Sequence, residues 1–223
     1  MCARFTLTVP SDLVEKLFQV ARAPLLSPRY NVSPTQPVAV VRQDRETGER
    51  IMDLLRWGLI PFWAKDPEIG ARMINARAET VAEKPAFRAA FRERRCLIPA
   101  DGFYEWQKLG TQRQPVYVRM SDGSAFAFAG LWERWRSPDG EGIETCTLLT
   151  TQPNELLRPI HDRMPVILDP EKYSPWLDPE SHRLDVLTPL LKPFPAEKMT
   201  CHPVSRYVNN PRNDDAECIR PVA

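Results

Sequence analysis

Arg95-Cys96-Leu97-Ile98-Pro99-Ala100-Asp101-Gly102-Phe103-Tyr104-Glu105-Trp106 reads as two strands joined by a turn. Arg95–Ala100 is apolar almost throughout, as expected of a strand buried on both faces. Asp101-Gly102 is turn chemistry. In the second strand a period of two puts Tyr104 and Trp106 on one face and Phe103 and Glu105 on the other. A carboxylate sharing a face with Phe is either paired with an arginine or partly desolvated, with its pKa raised. The second case makes a general acid–base group, and these residues leave both open.

Working outward, strand signals recur on either side. Val38–Arg42 and Ile51–Trp57 flank a charged loop with Thr47-Gly48. Asp122-Gly123 predicts a hairpin between Pro115–Met120 and Ala125–Leu131. Ser137-Pro138-Asp139-Gly140 predicts another, leading into Thr145–Thr151. Helices are short. One opens at Ser11-Asp12, with Asp12 as N-cap, and runs to about Arg22 with Leu13, Leu17 and Val20 inward. A second spans about Lys84–Arg94, with Phe87 and Phe91 inward and Arg88, Arg92, Arg94 and Arg95 outward, as a solvated face or a phosphate track. Further short helices are expected at Asn154–Leu157, Pro170–Trp176 and Leu184–Leu191. The expected fold class is α+β: one domain, residues 1–223, with a strongly twisted, barrel-like, mainly antiparallel β core flanked by short helices.

Composition excludes several classes. The formal net charge of +1 over 223 residues gives no global signature for nucleic acid or membrane, so any such patch is local. No apolar run is long enough to span a bilayer, and no basic-then-apolar N-terminal segment marks a signal peptide. The five cysteines lie far apart without a Cys-x-x-Cys, which points to reduced thiols in a cytoplasmic compartment and against zinc. Three histidines leave few ligands for any metal.

The N-terminus, Met1-Cys2-Ala3-Arg4-Phe5, carries unusual chemistry if Met1 is removed. Cys2 then bears an α-amine and a thiol on adjacent carbons. The amine titrates near pH 8 and condenses with aldehydes; the thiol then closes the imine to a five-membered thiazolidine. Trp57-Gly58-Leu59-Ile60-Pro61-Phe62-Trp63 is either a core corner or a stacking platform for unpaired bases.

Taken together, the motifs resemble those of the SOS-response-associated peptidase family, whose members process abasic sites. They are Met1-Cys2-x-Arg4-Phe5, Tyr30-Asn31-Val32-x-Pro34-Thr35, Trp57-Gly58-Leu59-Ile60-Pro61, Ile74-Asn75-Ala76-Arg77-x-Glu79-Thr80, the opening stretch through Trp106, Ile160-His161-Asp162-Arg163-Met164-Pro165 and His202-Pro203-Val204-Ser205. Ala3 departs from the family's usual Gly. The resemblance implies a covalent thiazolidine crosslink between Cys2 and the ring-opened aldehyde of an abasic site in single-stranded DNA. It further implies that Asn75 orients the sugar or the Cys2 amine, that Glu105 relays protons and that His161 assists. Arg4, Arg77 and Arg163 are implied as phosphate contacts, and Trp63 and Trp106 as stacking groups. No cofactor, metal or membrane is called for, and a monomer associated with the nucleoid through DNA is expected, with abasic-site lyase and autopeptidase activities as further expectations.

Two other classes compete. A thiol peptidase would use Cys2 on a peptide carbonyl, and a binding module would do no chemistry. An aldehyde specifically rewards an aminothiol, whereas peptidolysis needs only a thiol and gives no reason to place it at position 2.

Overall fold

The structure, a computed structural model, describes residues 2–137 and 139–222. Met1, whose removal the expected crosslink requires, Pro138 in the second expected turn, and Ala223 lie outside the described residues.

In chain order, β1 (Phe5–Leu7) leads into α1 (Ser11–Phe18), β2 (Val20–Arg22) and β3 (Arg29–Val32). The helix is shorter than its apolar spacing predicts. Gln19 adopts a left-handed conformation, and its backbone N–H returns to Glu15 and Lys16 carbonyls, which stops the helix. Pro10, not Asp12, holds the N-cap position; Asp12 sits in the first turn, where its charge still complements the helix dipole. The buried line runs through Val14 and Phe18, while Leu13 is 50% exposed. Both lines are apolar, and stacking of Phe18 on Tyr173 at 5.3 Å selects between them.

The chain continues through β4 (Pro37–Gln43), β5 (Arg50–Trp57), β6 (Asn75–Arg77), α2 (Arg88–Glu93), β7 (Arg95–Ala100), β8 (Gly102–Leu109), β9 (Gln112–Met120), β10 (Phe126–Arg136) and β11 (Gly142–Thr151). After these come β12 (Met164–Pro165), β13 (Ile167–Leu168), α3 (Tyr173–Leu177), α4 (Leu184–Leu187) and β14 (Met199–Pro203). Strands β5, β4, β7, β10 and β11 pair antiparallel in that order. Strand β11 then pairs in parallel with β5 at Thr145–Arg56 and Cys146–Trp57, closing a five-stranded barrel.

Alternation divides the barrel wall. Val40, Trp57, Ile98, Phe128 and Leu148 belong to one buried cluster. Val41, Met52, Leu97, Ala129 and Leu149 belong to another, which Phe91, Tyr173, Trp176 and Leu187 of the helices join. The first set fills the lumen and the second lies under the helices. Burial on both faces explains why Arg95–Ala100 is apolar without alternation. The α+β barrel expected from sequence is thus the observed class.

A second sheet, in the order β14-β9-β8-β1-β3, closes the barrel mouth. Its Phe5 packs 5.3 Å from Trp57 and 5.7 Å from Phe128, and its Phe103 lies 6.0 Å from Phe128. Asp101-Gly102 is therefore a corner where the chain leaves the barrel wall for this sheet. The Asp101 carboxylate accepts hydrogen bonds from Thr6 Oγ1 and from the backbone and hydroxyl of Thr8, tying β1 to the corner. Glycine is required at position 102, because a Cβ there would stand 2.1 Å from the Tyr117 hydroxyl. Asp122-Gly123 behaves likewise: it joins β9 to β10, which lie in different sheets, so the expected hairpin is absent. Turn chemistry reverses the chain but does not choose the strand's partner. The hairpin of β10 with β11 does form, with Arg136 opposite Gly142.

Three further expectations are corrected. The second helix starts only at Arg88, after a run of turns. Arg95 does not face outward. It is 4% exposed, and its guanidinium donates to the carbonyls of Phe91, Arg92, Trp176, Asp178 and Ser181, locking α3 to β7. Asn154–Leu157 forms a turn rather than a helix, capped by Asn154 Oδ1 accepting from the Leu157 N–H at 3.0 Å.

Candidate active site at the barrel mouth

Cys2 lies just before β1 and joins the lumen cluster with no exposed surface. Its carbonyl accepts a 2.8 Å hydrogen bond from Asn75 Nδ2. Asn75 opens β6, which pairs in parallel with β11 at Leu148. The preceding Ile74 carbonyl is held by Trp57 Nε1 at 2.8 Å. Asn75 is thus fixed on both sides and fixes Cys2 in turn. Its Oδ1 is buried and has no hydrogen-bond partner among the described residues, which leaves an acceptor beside Cys2.

Burial pushes the Cys2 thiol well above its ordinary pKa, and the neighbouring Glu105 adds to the effect. Glu105 itself is 1% exposed. Burial, with a further contribution from Asp162, raises its carboxyl from 4.5 to about 7. Of the two alternatives the sequence left open, desolvation holds. This follows from β8, whose alternation turns Phe103 and Glu105 toward the lumen.

His161 Nε2 stands 3.9 Å from Glu105 Oε2. Its Nδ1 accepts the Arg163 backbone N–H at 3.0 Å, so the neutral ring carries its proton on Nε2, facing Glu105. Burial lowers the His161 pKa, which favours that neutral form, although Asp162 Oδ1 lies 3.0 Å from Nδ1 and opposes the shift.

The remaining residues occupy distinct settings. Arg77 is exposed on the rim, and no described residue accepts a hydrogen bond from its side chain. Arg163 forks onto both oxygens of Glu79 at 2.8 Å and donates to the Thr150 carbonyl, so it anchors the loop that carries His161. Arg4 donates to Asn31 Oδ1 and the Val208 carbonyl, both at 2.8 Å, and fastens the N-terminal strand to the C-terminal segment. The structure therefore gives Arg4 and Arg163 anchoring bonds that sequence did not reveal. The tryptophan corner splits: Trp57 is wholly buried, while Phe62 and Trp63 are 59% and 49% exposed. Trp63 shares a cleft of about 760 Å³ with Arg56, Lys65 and Arg72. Trp106 is half-buried, and its Nε1 donates to Asn209 Oδ1 at 2.9 Å. No group of three or more His, Cys, Asp or Glu among the described residues is placed to hold a metal ion. Among the described residues, no helix is long and apolar enough to cross a membrane.

A thiol, a carboxyl whose pKa burial raises and an imidazole, gathered where a sheet caps a barrel, are groups able to support covalent nucleophilic chemistry with acid–base assistance. The chain belongs to the SOS response associated peptidase (SRAP) family, whose model matches residues 1–211. It is 45% identical to the abasic site processing protein YoqW of Bacillus subtilis, over 98% of this chain and 99% of that one. It is 33% identical to the abasic site processing protein HMCES of Xenopus tropicalis, over 87% of this chain and 66% of that one. A crystal structure of a protein from Bacteroides thetaiotaomicron superposes with a TM-score of 0.90 at 28% identity, covering all of both chains.

Proposed function

We propose that this chain processes abasic sites in single-stranded DNA by capturing them covalently, and that residues 1–223 do so as one domain and one monomer. The observation that carries the reading is Cys2, held by Asn75 and placed beside a carboxyl whose pKa burial raises to about 7.

The chemistry runs as follows. Loss of Met1 frees the Cys2 α-amine, which attacks the C1′ aldehyde of the open sugar to give a carbinolamine. Glu105, still protonated for much of the population near neutrality, gives its proton to the departing hydroxyl. Water leaves and an iminium forms. The carboxylate so created then takes the proton of the Cys2 thiol as sulfur bonds to C1′. One aldehyde and one aminothiol thus yield a thiazolidine and one water. Asn75 Oδ1 is suited to accept a hydrogen bond from the amine or a sugar hydroxyl, and His161 Nε2–H to orient the sugar oxygens.

The same geometry weighs on the alternatives. A thiol peptidase needs a thiolate at the start, whereas burial holds the Cys2 thiol protonated until Glu105 accepts its proton. That favours capture over attack on a peptide carbonyl. Lyase chemistry would proceed from the iminium by β-elimination, and ring closure by the thiol competes with it.

DNA recognition is assigned to Arg77, with Trp63 and Trp106 as stacking groups. Arg77→Ala is expected to weaken binding and to make the slope of log K against log salt shallower by ~0.7, the value for one phosphate contact on a single strand. Fluorescence anisotropy titrations from low to moderate salt measure this; an unchanged slope assigns Arg77 a structural role. Capture itself is tested on denaturing gels with abasic and undamaged strands. An N-terminal extension that blocks the Cys2 amine is expected to abolish the band. An extended form that crosslinks like the trimmed one overturns the proposal.

A further inference from the structure

We propose that Asn209 is a positioning residue for Trp106, holding the indole in the orientation in which it meets DNA. The inference rests on the reading of Trp106 as a stacking group. Its basis is the segment after β14, which folds back over the outer face of the second sheet. There Val204, Val208 and Cys218 bury themselves against Tyr104 and Tyr117, with Trp106 packed at the edge of the cluster.

Trp106 follows Glu105 in β8 and points to the opposite face. On that side Tyr104 lies 6.5 Å away at 46°, which restrains the ring by packing alone. The bond from Nε1 to Asn209 Oδ1 supplies the directional restraint. Flipping the indole would withdraw its single N–H from that acceptor, so the bond selects one orientation of the ring face. Stacking on a base requires a ring face presented to the strand, so this selection bears on binding.

Asn209 is itself well held. The Val208 carbonyl accepts from Arg4 Nη1 at 2.8 Å and from Asn31 Nδ2 at 3.1 Å. The Asn209 and Asn210 carbonyls accept from Arg4 Nη2 at 3.4 Å and Asn31 Nδ2 at 3.1 Å. Because Arg4 lies two residues from Cys2, the acceptor for the indole stands on a segment bonded to the N-terminal stretch that carries Cys2. The acceptors are backbone carbonyls, so these bonds survive removal of the Asn209 side chain.

The test is single-turnover crosslinking against DNA concentration. Asn209→Ala should raise the half-saturating concentration of abasic single strand about three- to tenfold, the range for loss of one modest hydrogen bond. The maximal rate should stay unchanged, since Cys2 and Glu105 are untouched. In a Trp106→Phe background, which keeps an aromatic face but lacks the N–H, Asn209→Ala should have no further effect. A fully additive double variant, or a Trp106-dependent half-saturation that Asn209→Ala leaves unmoved, overturns the inference while the stacking role stands. A Trp106→Ala variant that saturates like wild type overturns the stacking role itself. Melting temperatures of all variants separate these outcomes from unfolding.

Discussion

Cys2→Ala is expected to form no heat-stable adduct with abasic single-stranded DNA while binding that DNA nearly as well as the wild type. The variant keeps an N-terminal amine once Met1 is lost, so it still reaches the iminium. Without sulfur it cannot close the ring, and the iminium returns to aldehyde or is drained by β-elimination. Borohydride should trap an adduct in Cys2→Ala, whereas the wild-type adduct should survive without reductant. The effect is all-or-none, because no other residue carries a thiol adjacent to a free α-amine. A stable, unreduced adduct in Cys2→Ala would remove the thiazolidine from the mechanism. Fold integrity is a modest concern, since Ala loses only the sulfur from a site with no exposed surface.

Glu105→Gln should slow crosslinking by ~10²–10⁴-fold, the usual range for a positioned acid–base group, with little loss of affinity. On the proposed mechanism the wild-type rate depends on protonated Glu105 and a neutral amine. With the carboxyl at about 7 and an amine near ~8, the profile should peak between those values and fall on both sides. Glu105→Gln should lose the alkaline fall and rise to a low plateau as the amine deprotonates. His161→Ala should lose less, because His161 faces the carboxyl at 3.9 Å and orients rather than supplies the proton.

The same carboxyl links to stability in a defined direction. Its folded pKa lies above its unfolded value, so the folded state binds the proton more tightly. Its contribution to stability should therefore be full below about 4.5 and be lost as pH rises through about 7, a cost of roughly 3 kcal/mol once ionisation is complete. Glu105→Gln removes that cost and should melt higher than wild type at pH 8 but near wild type at pH 4.5. Matching melting curves at both pH values would mean that the carboxyl is not desolvated.

Much of this was legible in the sequence for identifiable reasons. Alternation in Phe103–Trp106 placed Glu105 beside Phe103, and β8 in the structure buries both. Strands β4, β5 and β11 follow from apolar runs bounded by turn residues. What stayed hidden depends on partners distant in sequence. Asp101-Gly102 and Asp122-Gly123 are the same chemistry as a hairpin turn, yet both cross between sheets. Arg95 belongs to an arginine-rich run that reads as exposed, and only the five carbonyls converging on it reveal an anchor. Leu13 and Val14 compete for the core at adjacent positions, and the Tyr173 ring decides between them.

At the site, the divide follows the same line. Cys2, Asn75, Glu105 and His161 sit in motifs whose residue types announce chemistry, and the fold brings them to one end of the barrel. Arg4 and Arg163 announce cations, but their bonds to Asn31, Val208 and Glu79 arise from segments up to 204 residues away. Asn209 carried no local signal at all; only its approach to Trp106 marks it.

The most direct test is intact mass after incubating the purified protein with a single-stranded oligonucleotide bearing one abasic site, beside the same oligonucleotide undamaged. Capture through Cys2 predicts a species equal to the protein lacking Met1 plus the abasic strand minus one water, formed without reductant and absent from the undamaged control. Peptide mapping should place the link on Cys2. No mass shift, an equal shift with undamaged DNA, or a link on any other residue would contradict the account.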